Sequence, residues 1–122
     1  MVRAIIQLRN GRVCSGSLDK TIRIWNPETG AQDLVIDHNK DSVSALCQFE
    51  DGRIVSGSQF TGMIYLWNIS TTFDAADCSD TLYGHKDTVT SLFQMADGRL
   101  CSSSADRSIK LWGNATLPHF II

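Results

Sequence analysis

The chain predicts an all-β fold of three repeated four-stranded antiparallel sheets, and three observations predict it. One phrase recurs three times: Gly11-Arg12, Ser15-Gly16-Ser17 and Ile22-Arg23-Ile24-Trp25; then Gly52-Arg53, Ser56-Gly57-Ser58 and Ile64-Tyr65-Leu66-Trp67; then Gly98-Arg99, Ser102-Ser103-Ser104 and Ile109-Lys110-Leu111-Trp112. The tryptophans that close these phrases are the only three in the chain and stand 42 and 45 residues apart, the period of a four-stranded unit rather than of a helical or leucine-rich repeat. Each phrase also follows an apolar stretch and a turn pair, Asn10-Gly11, Asp51-Gly52 or Asp97-Gly98, which is the strongest short-range hairpin signal.

The elements follow in order within each repeat. A first strand covers Val2 to Leu8, Val43 to Phe49 and Val89 to Met95, and a second short strand covers Arg12 to Ser15, Arg53 to Ser56 and Arg99 to Ser102. After a second turn comes a third strand ending at Trp25, Trp67 or Trp112. A weaker fourth strand is expected near Asp33 to Ile36, Thr81 to Tyr83 and Leu117 to Ile122, where Pro118 requires a sheet edge because it cannot donate to a ladder. Between the third and fourth strands of the second repeat, the polar, acidic segment Ile69 to Asp80, with Phe73 at its centre, reads as an extended loop at the outer edge. Nothing reads as a helix. The repeats divide the chain near 1–36, 37–83 and 84–122 of a single domain.

Composition excludes several function classes. The 122 residues are 43% hydrophobic, with 11 basic and 13 acidic residues and a net charge of −2. That balance offers no basic patch for phosphate neutralisation and no polybasic membrane segment, so neither nucleic acid nor a membrane is expected as partner. No apolar run is long enough to span a bilayer, and Met1-Val2-Arg3 leads directly into a strand, so no signal peptide is expected and the setting is cytoplasmic or nuclear. Cys14 and Cys101 occupy one repeat position, filled by Val55 in the second repeat, and read as small buried hydrophobes. Cys47 falls in an apolar strand and Cys78 in a loop, and no CxxC or Cys/His cluster has metal spacing, so neither disulfides, metals nor cofactors are expected.

Gly84-His85, Asp97-Gly98, Ser102-Ser103-Ser104-Ala105-Asp106 and Ile109-Lys110-Leu111-Trp112 together resemble a WD40 repeat. The resemblance runs over the whole chain as three consecutive repeats. It implies three four-stranded blades of a β-propeller, an incomplete ring to be closed by association or by further blades. It also implies a hydrogen-bonded tetrad of His, Ser, Asp and Trp in each blade. Repeat three supplies His85, Ser102, Asp106 and Trp112. Repeat one supplies Ser15, Asp19 and Trp25, while its His would precede Met1. Repeat two has His38, preceded by Asp37 instead of Gly, with Ser56 and Trp67, but an extra residue in Gln59-Phe60-Thr61-Gly62 removes the Asp.

Ser102, His85 and Asp106 would also compose a hydrolase triad. Against that, Ser102 lies in a strand of small residues rather than on a Gly-x-Ser-x-Gly elbow, and the same types recur at Ser15 and Asp19, whereas an active site is not repeated per blade. The structural reading is therefore preferred and no catalysis is expected. Asn68-Ile69-Ser70 and Asn114-Ala115-Thr116 match the glycosylation sequon and read as chance matches.

Function must come from a surface, because the fold hosts many roles. The resemblance implies a non-catalytic interaction scaffold whose top face around the central channel recruits proteins or peptides. By the family's pattern that face carries Arg3 and Leu18, then Ser42, Ser44 and Phe60, then Thr88, Thr90 and Ala105. Arg3, Leu18 and Phe60 stand out, since arginine and large apolar residues at a rim anchor interfaces; Leu18 and Phe60 could equally pack under neighbouring loops. The alternative is a reader of a specific modified peptide at the channel mouth. Because propellers close with about 4–8 blades, three blades leave an apolar face bare at each end, and self-association of two copies into six blades is the leading expectation.

Overall fold

The computed structural model describes residues 1–37, 39–70, 72 and 75–113, and the backbone of 117–121. Its twelve strands form three separate four-stranded antiparallel sheets, each in simple sequence order. The first blade contains β1 (Val2–Gln7), β2 (Val13–Ser17), β3 (Ile22–Trp25) and β4 (Gln32–Ile36). The second contains β5 (Val43–Gln48), β6 (Ile54–Ser58), β7 (Ile64–Ile69) and β8 (Ala76–Leu82), and the third β9 (Val89–Gln94), β10 (Leu100–Ser104), β11 (Ile109–Gly113) and β12 (Leu117–Ile121). No closed ring forms. The arc is an open part of a propeller, with β1, β5 and β9 innermost and β5 in contact with the other two.

The alternation of each strand distributes its side chains between two neighbouring blades. In β7, Tyr65 and Trp67 join a core with Ile22, Ile24 and Ile36 of the first blade, while Ile64 and Leu66 join a second core with Val89, Leu92, Leu100 and Trp112 of the third. The small residue between the two serines of the repeat makes this stacking close. A Cβ built on Gly57 would stand 2.5 Å from Val89 Cγ1, and one on Gly16 would stand 2.3 Å from Val43 Cγ1. The recurrent arginines lie on the hairpins: Arg53 and Arg99 pair with Asp51 and Asp97 of their own turns at 3.0 and 2.8 Å, and Arg12 reaches Asp33 on β4 at 2.8 Å. Such exposed pairs add little stability.

One sequence expectation is corrected. The segment Ile69 to Asp80 is not simply a loop, because β8 begins at Ala76 and pairs Asn68 with Asp77 and Trp67 with Cys78. Cys78 is therefore a strand residue, at an exposed outer edge where a polar sequence satisfies its ladder on one side only. Asn68 of the first sequon lies in β7; Phe73, His38 and Asn114-Ala115-Thr116 lie outside the described residues. The cysteines are free; burial pushes the Cys14 and Cys47 thiols up to about 12, which keeps them inert.

Candidate functional site

In the third blade Ser102 Oγ is the centre of a buried polar chain. It accepts the Trp112 indole N–H at 2.9 Å and stands 2.7 Å from His85 Nε2. Because the Asp106 carboxylate, whose Oδ2 is 3.1 Å from Nδ1, can only accept, the proton of the neutral ring sits on Nδ1, and Nε2 accepts the serine hydroxyl. Asp106 also accepts the Lys86 N–H at 2.9 Å and the Ser108 N–H at 2.9 Å. Thus one residue from each of β10, β11, the tight turn and the connection from β8 to β9 is held in a single register.

The electrostatics match this geometry. Burial pushes the His85 imidazole below its ordinary range, helped by the Lys110 charge; the hydrogen bond and charge of Asp106 oppose it without prevailing. For Asp106 burial favours the protonated acid, but the Ser108 hydroxyl, the two backbone N–H groups and His85 outweigh it and hold the carboxyl far below its ordinary range. Ser102, His85 and Asp106 have the connectivity of a hydrolytic triad. Ser102 is nevertheless only 1% exposed and its oxygen is covered by Trp112, which is 0% exposed, so no substrate carbonyl can reach the hydroxyl.

The other blades vary the arrangement. Trp25 Nε1 donates to Ser15 Oγ at 3.0 Å, and Asp19 accepts the Thr21 N–H at 3.0 Å without an overlying histidine among the described residues. In the second blade Trp67 Nε1 donates to Ser56 Oγ at 2.9 Å. Its longer turn is held by a carboxylate from the opposite side: buried Asp41, preceding β5, accepts the Phe60 and Thr61 N–H groups through Oδ2 at 3.0 and 2.8 Å. Sequence reasoning missed Asp41, whose counterpart Asp87 leads into β9 and leaves the turn to Asp106. Gly62 completes the turn at φ 72°, pressed so closely against the His85 carbonyl that a Cβ would stand 2.4 Å from its oxygen.

Of the residues expected on the top face, Arg3, Ser44, Thr88 and Thr90 line one open concavity of about 400 Å³, together with Met1 and Gln59. Several of their polar groups are already engaged. Ser42 is buried and donates to the Leu18 carbonyl at 2.7 Å; Thr88 donates to the Gln59 carbonyl at 2.5 Å; Ser44 donates to the Val89 carbonyl at 2.5 Å. These bonds join adjacent blades. Thr90 shares a hydrogen bond with Ser103 at 2.8 Å. Leu18, Phe60 and Ala105 are outside the concavity's lining; Leu18 is half-buried, Ala105 exposed, and the Phe60 ring is 70% exposed. Gln59 Oε1 is buried at the wall without a donor among the described residues, an acceptor that an incoming N–H or a water would satisfy.

A family model described as "WD domain, G-beta repeat" (WD40) matches residues 2–26 and 76–113, just over half of the chain. Among solved structures, the crystal structure of RRP9 WD40 repeats and the structure of U3-55K each align with a TM-score of 0.83 at 23% identity, covering 99% of this chain. The likeness is one of fold, and the chain spans 38% of the length of either matched chain.

Proposed function

The chain belongs to the WD40-repeat family, whose propellers are non-catalytic interaction scaffolds, and from that premise we propose that it recruits protein or peptide partners through the top face, with Phe60 as principal anchor and Arg3 and Leu18 beside the site. The exposure of the Phe60 ring on a fixed turn carries this reading. Asp41 and Gly62 hold the turn from both ends, so little conformational freedom is lost when the ring is covered, and a rigid aromatic on a rim is the residue type that dominates interface energetics. Ser42, Ser44 and Thr88 support the face by joining the blades beneath it, while Thr90 and Ala105 leave small, open ground. The reading extends to a protein working in the cytoplasm or nucleus, with neither nucleic acid nor membrane as partner.

Binding to an array of peptides, each in plain, phosphorylated and methylated form, tests this. Wild-type binding that falls at least tenfold in Phe60→Ala, with the melting temperature unchanged, supports a top-face scaffold. If the lost binding depends on a modification, the narrower function of a modified-peptide reader takes its place. Binding insensitive to Phe60→Ala, Arg3→Ala and Leu18→Ala overturns the assignment of the face.

A further inference from the structure

The two open ends of the arc carry the two halves of a hydrogen-bonded joint that the chain already makes twice. A glutamine closes the inner strand of every blade: Gln7 in β1, Gln48 in β5 and Gln94 in β9. Each donates Nε2–H to the glycine carbonyl of its own hairpin, Gly11 at 3.2 Å, Gly52 at 3.3 Å and Gly98 at 3.1 Å. This fixes the amide and turns Oε1 toward the preceding blade. There Gln48 Oε1 accepts the Arg9 N–H at 3.0 Å, and Gln94 Oε1 accepts the Glu50 N–H at 2.7 Å. Arg9 and Glu50 hold the same place, the second residue of the turns closed by Gly11 N–H to the Leu8 carbonyl and Gly52 N–H to the Phe49 carbonyl.

The third blade repeats that turn from Met95 to Gly98, and its second residue is Ala96. Among the described residues the Ala96 N–H has no acceptor and Gln7 Oε1 has no donor. The faces beside these groups are apolar. By strand register Val2 and Ile5 occupy the positions of Val43 and Leu46, which pack on the preceding blade, and they are 61% and 68% exposed. Phe93 and Ile109 occupy the positions of Cys47 and Ile64, which pack toward the following blade, and are likewise exposed.

We propose that a second copy of this chain closes the ring head to tail, with the Ala96 N–H of each copy donating to Gln7 Oε1 of the other. The joint continues an interface already present twice. A head-to-tail contact closes whenever its rotation does, and six blades fall inside the range of about 4–8 that propellers adopt. Met1 stands where Ser42 and Thr88 supply their hydroxyls to the preceding blade, so the closing joint lacks that top-side bond and depends more heavily on Gln7. This closure is independent of the partner that the top face takes.

Two variants isolate the bond. Ala96→Pro removes only the N–H, at a turn position that favours proline. Gln7→Lys keeps a donor for the Gly11 carbonyl and removes the acceptor. Light scattering after size exclusion, over a dilution series of the full chain, reads the result. The wild type is expected as a dimer, and each variant raises its dissociation constant about 25-fold, roughly fivefold for each of two equal joints; the double variant loses no more than either single one. A wild-type monomer, or a polydisperse aggregate, overturns the second copy as occupant and assigns the ends to further blades. A wild-type dimer untouched by both variants overturns the Gln7–Ala96 joint while leaving two-copy closure standing.

Discussion

Replacing Ser102 by alanine removes one oxygen and leaves two partners stranded. The Trp112 indole N–H and His85 Nε2 both meet that oxygen, at 2.9 and 2.7 Å, in a site where serine and tryptophan are essentially sealed from water. Each buried polar group left without a partner costs about 1–3 kcal/mol, and the two share one network, so about 3–4 kcal/mol is expected rather than the full sum. Ser15→Ala is the matched control. Its one tryptophan partner, Trp25, is half-buried and open to water, so the loss there is about 1 kcal/mol. Urea unfolding followed by tryptophan fluorescence and far-ultraviolet circular dichroism gives both values on one scale. In the double variant Ser102→Ala/Trp112→Phe the indole donor is gone, and the cycle returns about 1 kcal/mol of coupling. If Ser102→Ala and Ser15→Ala agree to within about 0.5 kcal/mol, burial of the third blade's network contributes nothing special and the reasoning fails.

Three further outcomes follow from the same structure. The folded state holds His85 below its unfolded value of about 6.5, so its contribution is complete above that pH and is lost as pH falls toward the folded value; melting temperature should decline more steeply as pH falls below about 6.5 in the wild type than in His85→Asn. Asp106, also depressed, adds a second decline below about pH 4, where unfolded carboxyls begin to bind protons. Gly57→Ala should destabilise by about 1–3 kcal/mol through overpacking against Val89, and Val89→Ala in the same chain should recover part of that loss when measured by urea unfolding. Asp41→Ala should cost about 2 kcal/mol and speed amide exchange at Phe60 and Thr61, the two N–H groups it accepts; unchanged exchange would remove its role in the turn.

The blades were legible because their signals are local. Asn-Gly and Asp-Gly turns, alternating apolar strands and a terminal tryptophan each act within one sheet, and repetition multiplies a weak cue. The start of β8 was hidden because Ala76-Asp77-Cys78-Ser79-Asp80 carries no large apolar side chain on either face, as an outer strand with one free edge need not. Joints between blades were hidden for a different reason. Ser42 and Thr88 stand in one column of the repeat, and so do Gln7, Gln48 and Gln94; the column is visible, but which carbonyl or N–H it reaches is decided by the neighbouring sheet. Small polar residues beside the first-strand valine therefore resemble an open binding face in the sequence while several of them fasten one blade to the next.

The second blade departs furthest from the repeat, and the departure has a physical logic. Its turn carries one residue more than the turns after Ser17 and Ser104, closing through Ser58 N–H to the Met63 carbonyl, and no acidic residue lies within it. A longer turn exposes additional backbone N–H groups, which would remain unpaired beside a buried serine and tryptophan. Asp41 takes two of them from the far side, so the requirement is on the hydrogen bonds and not on the position that supplies the carboxylate. Relieved of supplying that group, the turn presents Phe60 to solvent in the place where the first blade has Asp19. The same substitution that weakens the repeat signature thus creates the large, fixed apolar side chain on which partner recruitment is proposed to rest.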